Sequence, residues 1–356
     1  YEIALKIYHG ERLSPEDGLK LYTDFGLSDL SLLATFVKQK KTGKKVFFNR
    51  NIHIEPTNIC IYNCKFCSYS RKPGEAGSWD STIGEIIAKA KKFQNKDITE
   101  VHITGGVHPD KDVYFYGKMT REIKNVLPNV SIKAFTPIEV KHMAKKAGMT
   151  VVKGLEYLKS CGLESLPGGG AEIFHPEIRN KICPEKGAAE VWIDVHKAAH
   201  RLGLASNATM LYGHVESHEH RMDHLMKLRE IQDETNGFNA FIPLKYRKHN
   251  NDMFEVGELP VIEDLRNYAV SRIFLDNIPH LKAYWPMIGK SVAQLALSFG
   301  VDDLDGTIDD TTKIYSMAGS EELNPGMTTE QIRRLIVDAK YEPVERDTFY
   351  NEINIK

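Results

Sequence analysis

The chain lacks any apolar run approaching the ~18 residues of a membrane-spanning helix, so no segment reads as one. Charge of one sign is missing too. The 47 Lys+Arg and 48 Asp+Glu leave a formal net charge of −1, which gives no bulk attraction for nucleic acid or an anionic membrane surface. Cysteine is scarce and odd in number, five in all, which excludes a disulfide framework and fits a reducing, cytoplasmic setting. No low-complexity tract and no repeat of fixed period stands out, which argues against solenoids and disordered arrays. The opening Tyr1-Glu2-Ile3-Ala4-Leu5-Lys6 does not read as a secretory leader.

What is present is an ordinary globular composition, 42% hydrophobic and 27% charged over 356 residues. Residues 1–45 read as a helical extension. Ser14-Pro15-Glu16-Asp17 supplies an N-cap, a proline at the first helical position and acidic residues in the first turn. From Val46 onward, strands alternate with helices. Strands are predicted over 46–56, 98–104, 130–135, 162–166, 205–211, 238–244, 281–285 and 301–304, with helices between them. Eight strands in this alternation predict an α/β fold, a (β/α)8 TIM-type barrel over 46–310. A C-terminal extension over 311–356 is expected to pack on it. An open six-strand barrel with a separate C-terminal piece is the alternative.

Three of the five cysteines, Cys60, Cys64 and Cys67, fall within eight positions at C-x3-C-x2-C spacing, with Phe66 directly before the third. Soft thiolates select zinc, copper(I) or iron–sulfur clusters. A structural zinc site wants four protein ligands, and a ferredoxin-type cluster wants four cysteines. Three thiolates on one loop instead cap three irons of a 4Fe–4S cube and leave the fourth open to a ligand. A non-catalytic iron–sulfur or zinc protein is the rival reading. Cys161 and Cys183 read as ordinary thiols.

The C-x3-C-x-aromatic-C stretch resembles the signature of the radical S-adenosylmethionine (SAM) family, which implies a 4Fe–4S cluster and SAM as cofactors. By that resemblance Thr104-Gly105-Gly106, directly after the second strand, takes the methionine amino group through main-chain atoms. Glu172, after Gly168-Gly169-Gly170-Ala171, takes the ribose hydroxyls. The segment containing Thr209, Met210 and Tyr212 packs on adenine, with Phe66 near the same base. Further blocks resemble the aminofutalosine synthase family of the futalosine route to menaquinone. They include Ile173-Phe174-His175-Pro176, Asn207-Ala208-Thr209-Met210-Leu211-Tyr212-Gly213-His214, and Ile242-Pro243-Leu244. The resemblance implies that the 5′-deoxyadenosyl radical adds to 3-[(1-carboxyvinyl)oxy]benzoate, with aryl migration and decarboxylation, giving 6-amino-6-deoxyfutalosine. A hydrogen-abstracting relative, such as cyclic dehypoxanthinyl futalosine synthase, is the alternative within the superfamily.

A substrate with two carboxylates calls for cations or hydrogen-bond donors, and arginine pairs with carboxylates bidentately. Arg71, Arg179, Arg201, Lys245 and Arg247 are candidates, of which Arg71, Lys245 and Arg247 lie near predicted strand ends. His102 and Asn207 lie on strands and contact substrate if they face inward. Tyr69, Thr209, His214 and Asp305 are weaker candidates. Leu244-Lys245-Tyr246-Arg247 is more charged than the family pattern and leaves the local substrate contacts open. The expected partners are an aromatic enol-ether dicarboxylate, an electron donor such as flavodoxin or ferredoxin and, at most, a second copy in a homodimer. Neither nucleic acid nor membrane is expected.

Overall fold

The computed structural model describes residues 2–307, 313–319 and 326–353. Its centre is one sheet of ten strands, every observed pairing parallel. In chain order these are β1 (Lys45–Phe48), β2 (Asn51–Ile54), β3 (Glu100–Ile103), β4 (Ser131–Ala134) and β5 (Ser165–Leu166), then β6 (Ala205–Tyr212), β7 (Phe238–Lys245), β8 (His280–Ala283), β9 (Asp303–Leu304) and β10 (Glu342–Glu345). Their order across the sheet is β10-β1-β9-β8-β7-β6-β5-β4-β3-β2.

β1 and β2 lie near opposite ends of that order, yet only Asn49 and Arg50 separate them. Two residues span less than about 10 Å, so the sheet has to curl until its ends approach. The α/β barrel expected from the sequence is therefore present, as a curled ten-stranded parallel sheet. Two strands exceed the eight predicted. The run read as one strand over 46–56 divides at Asn49–Arg50, and β10 joins β1 from the C-terminal segment. The gap between β1 and β2 is bridged by Thr307, whose N–H donates to the Asn49 carbonyl (3.2 Å) and whose hydroxyl donates to the Asn51 carbonyl (3.2 Å).

Side chains alternate strictly along the strands. Val101, Ile103, Ile132, Ala134, Ala208 and Met210 point outward and are buried beneath the helices. Barrel interiors are usually filled by branched apolar residues. Here Glu100, His102, Lys133, Asn207, Lys282 and Asp305 face the interior instead. The lumen sets these polar and charged groups among apolar walls that include Leu211, Ile242, Leu244 and Tyr284, and it stays partly open.

The N-terminal helices flank the barrel. Pro15–Thr23 packs on the helix His218–Thr235, and Leu27–Thr42 on Val261–Phe274. Ser14 caps the first of these pairs with the reciprocal bonds its sequence predicts. The C-terminal segment closes the floor. Arg346 Nη2 pairs with Asp303 Oδ2 at 2.7 Å, Thr348 Oγ1 donates to Glu100 Oε2 at 2.5 Å, and Tyr350 stacks on His280. No helix among the described residues is long and apolar enough to cross a membrane.

Candidate active site

β2 delivers the chain into the cysteine loop, and the loop is pinned by its own backbone. Cys60 N–H donates to the Arg71 carbonyl (3.0 Å), Arg71 N–H to the Asn58 carbonyl (2.9 Å), and Ile61 N–H to the Val107 carbonyl (2.9 Å). Thr57 and Asn58 side chains tie the loop to Trp79 and Gly77. Cys60, Cys64 and Cys67, each partly exposed, ring a void of about 120 Å³. Burial pushes the Cys64 thiol up to about 12, so a bound metal has to draw the thiolate out. Among the described residues, no group of three or more His, Cys, Asp or Glu is arranged to hold a single metal ion. Three soft donors around a void, with no fourth cysteine among the described residues that line it, fit a multi-iron cube better than tetrahedral zinc.

The void opens into a larger cavity of about 320 Å³ running down the lumen. Phe66, Cys67, Tyr69, Gly105, Thr136 and Gly170 line both. At the upper end the glycines permit close backbone approach. A Cβ on Gly105 would sit 2.7 Å from the Thr57 carbonyl oxygen, one on Gly106 2.3 Å from that of Ile59, and one on Gly168 2.5 Å from that of Asn207. Glycine is therefore needed at 105 and 106 to seat the cysteine loop against β3, independently of any ligand.

The comparisons with known proteins follow the same outline. The model of the radical SAM superfamily matches residues 54–228, and that of the CofH/MqnC C-terminal region matches 235–356. An aminodeoxyfutalosine synthase of Thermus thermophilus is 43% identical over 99% of this chain and 95% of its own length. The chain belongs to the radical SAM superfamily. An aminodeoxyfutalosine synthase of Streptomyces coelicolor is 42% identical, covering 98% of this chain and 92% of that protein. A 5-amino-6-(D-ribitylamino)uracil–L-tyrosine 4-hydroxyphenyl transferase of Methanoculleus marisnigri is 35% identical, covering 98% and 96%. Among solved structures, methylornithine synthase (PylB) aligns with a TM-score of 0.76 at 17% identity, covering 96% of this chain and 97% of that one. That likeness speaks for the fold alone.

Within this radical SAM chain the predicted site residues divide. Phe66, Thr104, Gly105, Glu172, His102, Asn207, Thr209 and Arg247 all line the main cavity, and Gly106 lines the cysteine void. Glu172 holds a left-handed backbone conformation (φ 49°), and its Oε1 lies 2.6 Å from Lys186 Nζ. Thr209 Oγ1 donates to the Gly168 carbonyl at 2.5 Å, locking β6 to the glycine turn. Burial, helped by His53 and Lys133, lowers His102 to about 3. It is a neutral imidazole, ring to ring with His53 at 4.7 Å, and its Nε2 is buried without a hydrogen-bond partner. Arg247 donates to the carbonyls of Met287 (3.3 Å) and Gly319 (3.1 Å) at the cavity rim.

Three predicted residues lie elsewhere. Arg71 Nη1 donates to the carbonyls of Ser68 (3.1 Å) and Ser70 (2.8 Å), bracing the cysteine loop outside the cavity lining. Met210 and Tyr212 occupy the outward parity of β6. Met210 is in the core under the helices, and Tyr212 donates its hydroxyl to Asp264 Oδ1 at 2.9 Å. Their inward neighbours Thr209 and Leu211 form the cavity wall instead. Of the weaker candidates, Tyr69, Thr209 and Asp305 line the cavity, as does the strand-end cation Lys245. His214 is turned to the Leu211 carbonyl and Glu216.

Sequence reasoning missed Lys186 and the lysines of the lumen. Lys186 lines the cysteine void, with its Nζ 5.2 Å from the centre of the Phe66 ring and its charge held by Glu172. Its loop, Pro184-Glu185-Lys186-Gly187, carries no motif. The lumen lysines Lys133 and Lys282 were legible as inward-parity charges on otherwise apolar strands.

Proposed function

We propose that this chain joins the 5′-deoxyadenosyl group of SAM to 3-[(1-carboxyvinyl)oxy]benzoate, giving 6-amino-6-deoxyfutalosine for menaquinone synthesis. The observation that carries the reading is identity of 42–43% over nearly the whole length to two aminodeoxyfutalosine synthases. The 4-hydroxyphenyl transferases reach 34–36%. Cys60, Cys64 and Cys67 would hold the 4Fe–4S cluster, which when bound supplies one electron for cleaving the sulfonium. The C5′–S bond breaks, C5′ bonds to the vinyl CH2, the aryl group moves from oxygen to carbon, and the carboxyl group leaves as CO2. Methionine is the other product of the C5′–S cleavage, and the electron released with CO2 would return to the cluster, so no net oxidant is needed.

The chain's own part is binding, orientation and exclusion of water. Main-chain groups of Thr104, Gly105 and Gly106 meet the methionine amino group. Glu172, anchored by Lys186, takes the ribose hydroxyls. Phe66, Thr209 and Leu211 form the wall beside adenine. His102 and Asn207 face the substrate as neutral hydrogen-bonding groups, and Arg247 lies at the rim for a carboxylate. A cytoplasmic location and a donor such as flavodoxin or ferredoxin belong to the same proposal.

The test is product analysis of the reconstituted protein with SAM, a reductant and the enol ether. An adduct of the mass of 6-amino-6-deoxyfutalosine supports the reading. Free 5′-deoxyadenosine as the sole nucleoside product overturns it in favour of hydrogen abstraction.

A further inference from the structure

Two ammonium groups face the lumen from its strands, Lys133 in register with His102 and with His53 of β2, before the chain leaves β2 for the cysteine loop. Lys133 comes from β4 and Lys282 from β8, both are buried, and both line the same cavity. Burying an ammonium is costly unless it is paired, and each has a carboxylate partner, Lys282 having a second in Asp303 Oδ2 at 3.9 Å. Lys133 Nζ donates to Glu100 Oε2 at 2.7 Å and Lys282 Nζ to Asp305 Oδ1 at 3.2 Å. An ammonium carries three donors, so each retains donor capacity toward the cavity. Asp305 leaves its Oδ2 without a partner, and Thr348 of the C-terminal segment fixes the same Glu100 oxygen that holds Lys133.

The cations nearer the rim are more fully engaged. Lys245 Nζ donates to both Asp264 Oδ2 and the Leu259 carbonyl, each at 2.7 Å. Arg247 is spread over two carbonyls, with Glu258 at 3.4 Å. Glu100 interacts with both lysines and offsets part of their mutual repulsion, which a bound anion offsets further. Burial and the nearby Lys282 both draw Lys133 below the usual lysine range, as that repulsion requires.

We infer that Lys133 and Lys282 together form the seat of the ring carboxylate of the enol-ether substrate. The inference rests on the function proposed above. There, the adenosyl carbon arrives from the cysteine end of the cavity, so the vinyl group has to point that way. The carboxylate on the far side of the aromatic ring then points down the lumen, where the two lysines lie. Their spare donors bind it, and Glu100 and Asp305 keep them oriented. The pair thereby selects an aromatic ring that carries a carboxylate over one that does not.

The experiment measures binding to reconstituted holoenzyme of two unreactive ligands lacking the vinyl bond. One is 3-(1-carboxyethoxy)benzoate, with both carboxylates; the other is 2-phenoxypropanoate, without the ring carboxylate. The wild-type protein is expected to prefer the diacid by about 10- to 100-fold, the range of hydrogen bonds to charged groups. Lys133→Gln and Lys282→Gln are each expected to remove most of that preference while leaving affinity for the monoacid unchanged. Should Lys133→Gln fail to fold because Glu100 is left unpaired, the double variant Lys133→Gln/Glu100→Gln takes its place with the same expected loss. Variants that keep the preference, or that weaken both ligands equally, overturn the inference while leaving the proposed function standing. Wild-type protein that binds neither ligand and makes no adduct overturns both.

Discussion

Lys186 Nζ lies 2.6 Å from Glu172 Oε1, joining the wall of the cysteine void to the wall of the main cavity. Both residues are well shielded, with side chains 14% and 8% exposed, so the pair is not a screened surface bridge. Removing one partner of a buried pair leaves an uncompensated charge. Lys186→Met is therefore expected to raise the dissociation constant for SAM by about tenfold or more, the scale of one charged hydrogen bond. The EPR signal of the reduced cluster without SAM should be unchanged. A SAM titration followed by EPR reads both.

Gly106 has no room for a methyl group, for its Cβ would lie 2.3 Å from a backbone oxygen of the cysteine loop. Backbone cannot move aside as a flexible side chain can. Gly106→Ala is expected to cost about 1–3 kcal/mol of stability, in the range for overpacking, and to lower iron loading. Urea unfolding and iron analysis on the same preparation check the two together.

The parity of β6 makes opposite predictions for adjacent residues. Tyr212→Phe removes the bond to Asp264 and should cost about 1–3 kcal/mol of stability with SAM affinity unchanged. Leu211→Ala, on the cavity wall, should weaken SAM binding. Isothermal titration against SAM separates them, and equal effects would contradict the assignment of faces.

Glu139 caps the helix Pro137–Lys146 from a buried position, and burial raises its carboxyl to about 7. A folded-state value above the unfolded one means that the native state binds the extra proton. The stability it contributes is full below about pH 4.5 and is lost as pH rises through about 7. Glu139→Gln should remove this loss. Relative to the variant, the wild type should become less stable by about 2–3 kcal/mol between pH 5 and pH 8. Denaturant unfolding at the two pH values measures that difference.

The grouping of the cysteine loop was legible from spacing and residue type, and the structure brings Cys60, Cys64 and Cys67 around one void. The barrel was legible from the alternation of elements, but β10 was not. It is four residues long and contains Pro343, which an edge strand tolerates and a central strand does not. The inward face of β6 was readable in principle, since Asn207 inward puts Thr209 and Leu211 inward as well. Resemblance favoured Met210 and Tyr212, and the period of two overrules it. Lys186 was beyond reach, since its place beside Glu172 arises only when the loop after Cys183 folds back on the cysteine void.

The central claim is that three thiolates hold an iron cube whose open iron takes SAM. EPR of the reduced, anaerobically reconstituted protein, with and without SAM, tests it most directly, alongside metal analysis. The account predicts about four irons per chain, a cluster signal that shifts when SAM is added, and loss of that signal in Cys64→Ala. One zinc per chain with no signal, or a cluster spectrum indifferent to SAM, would contradict it.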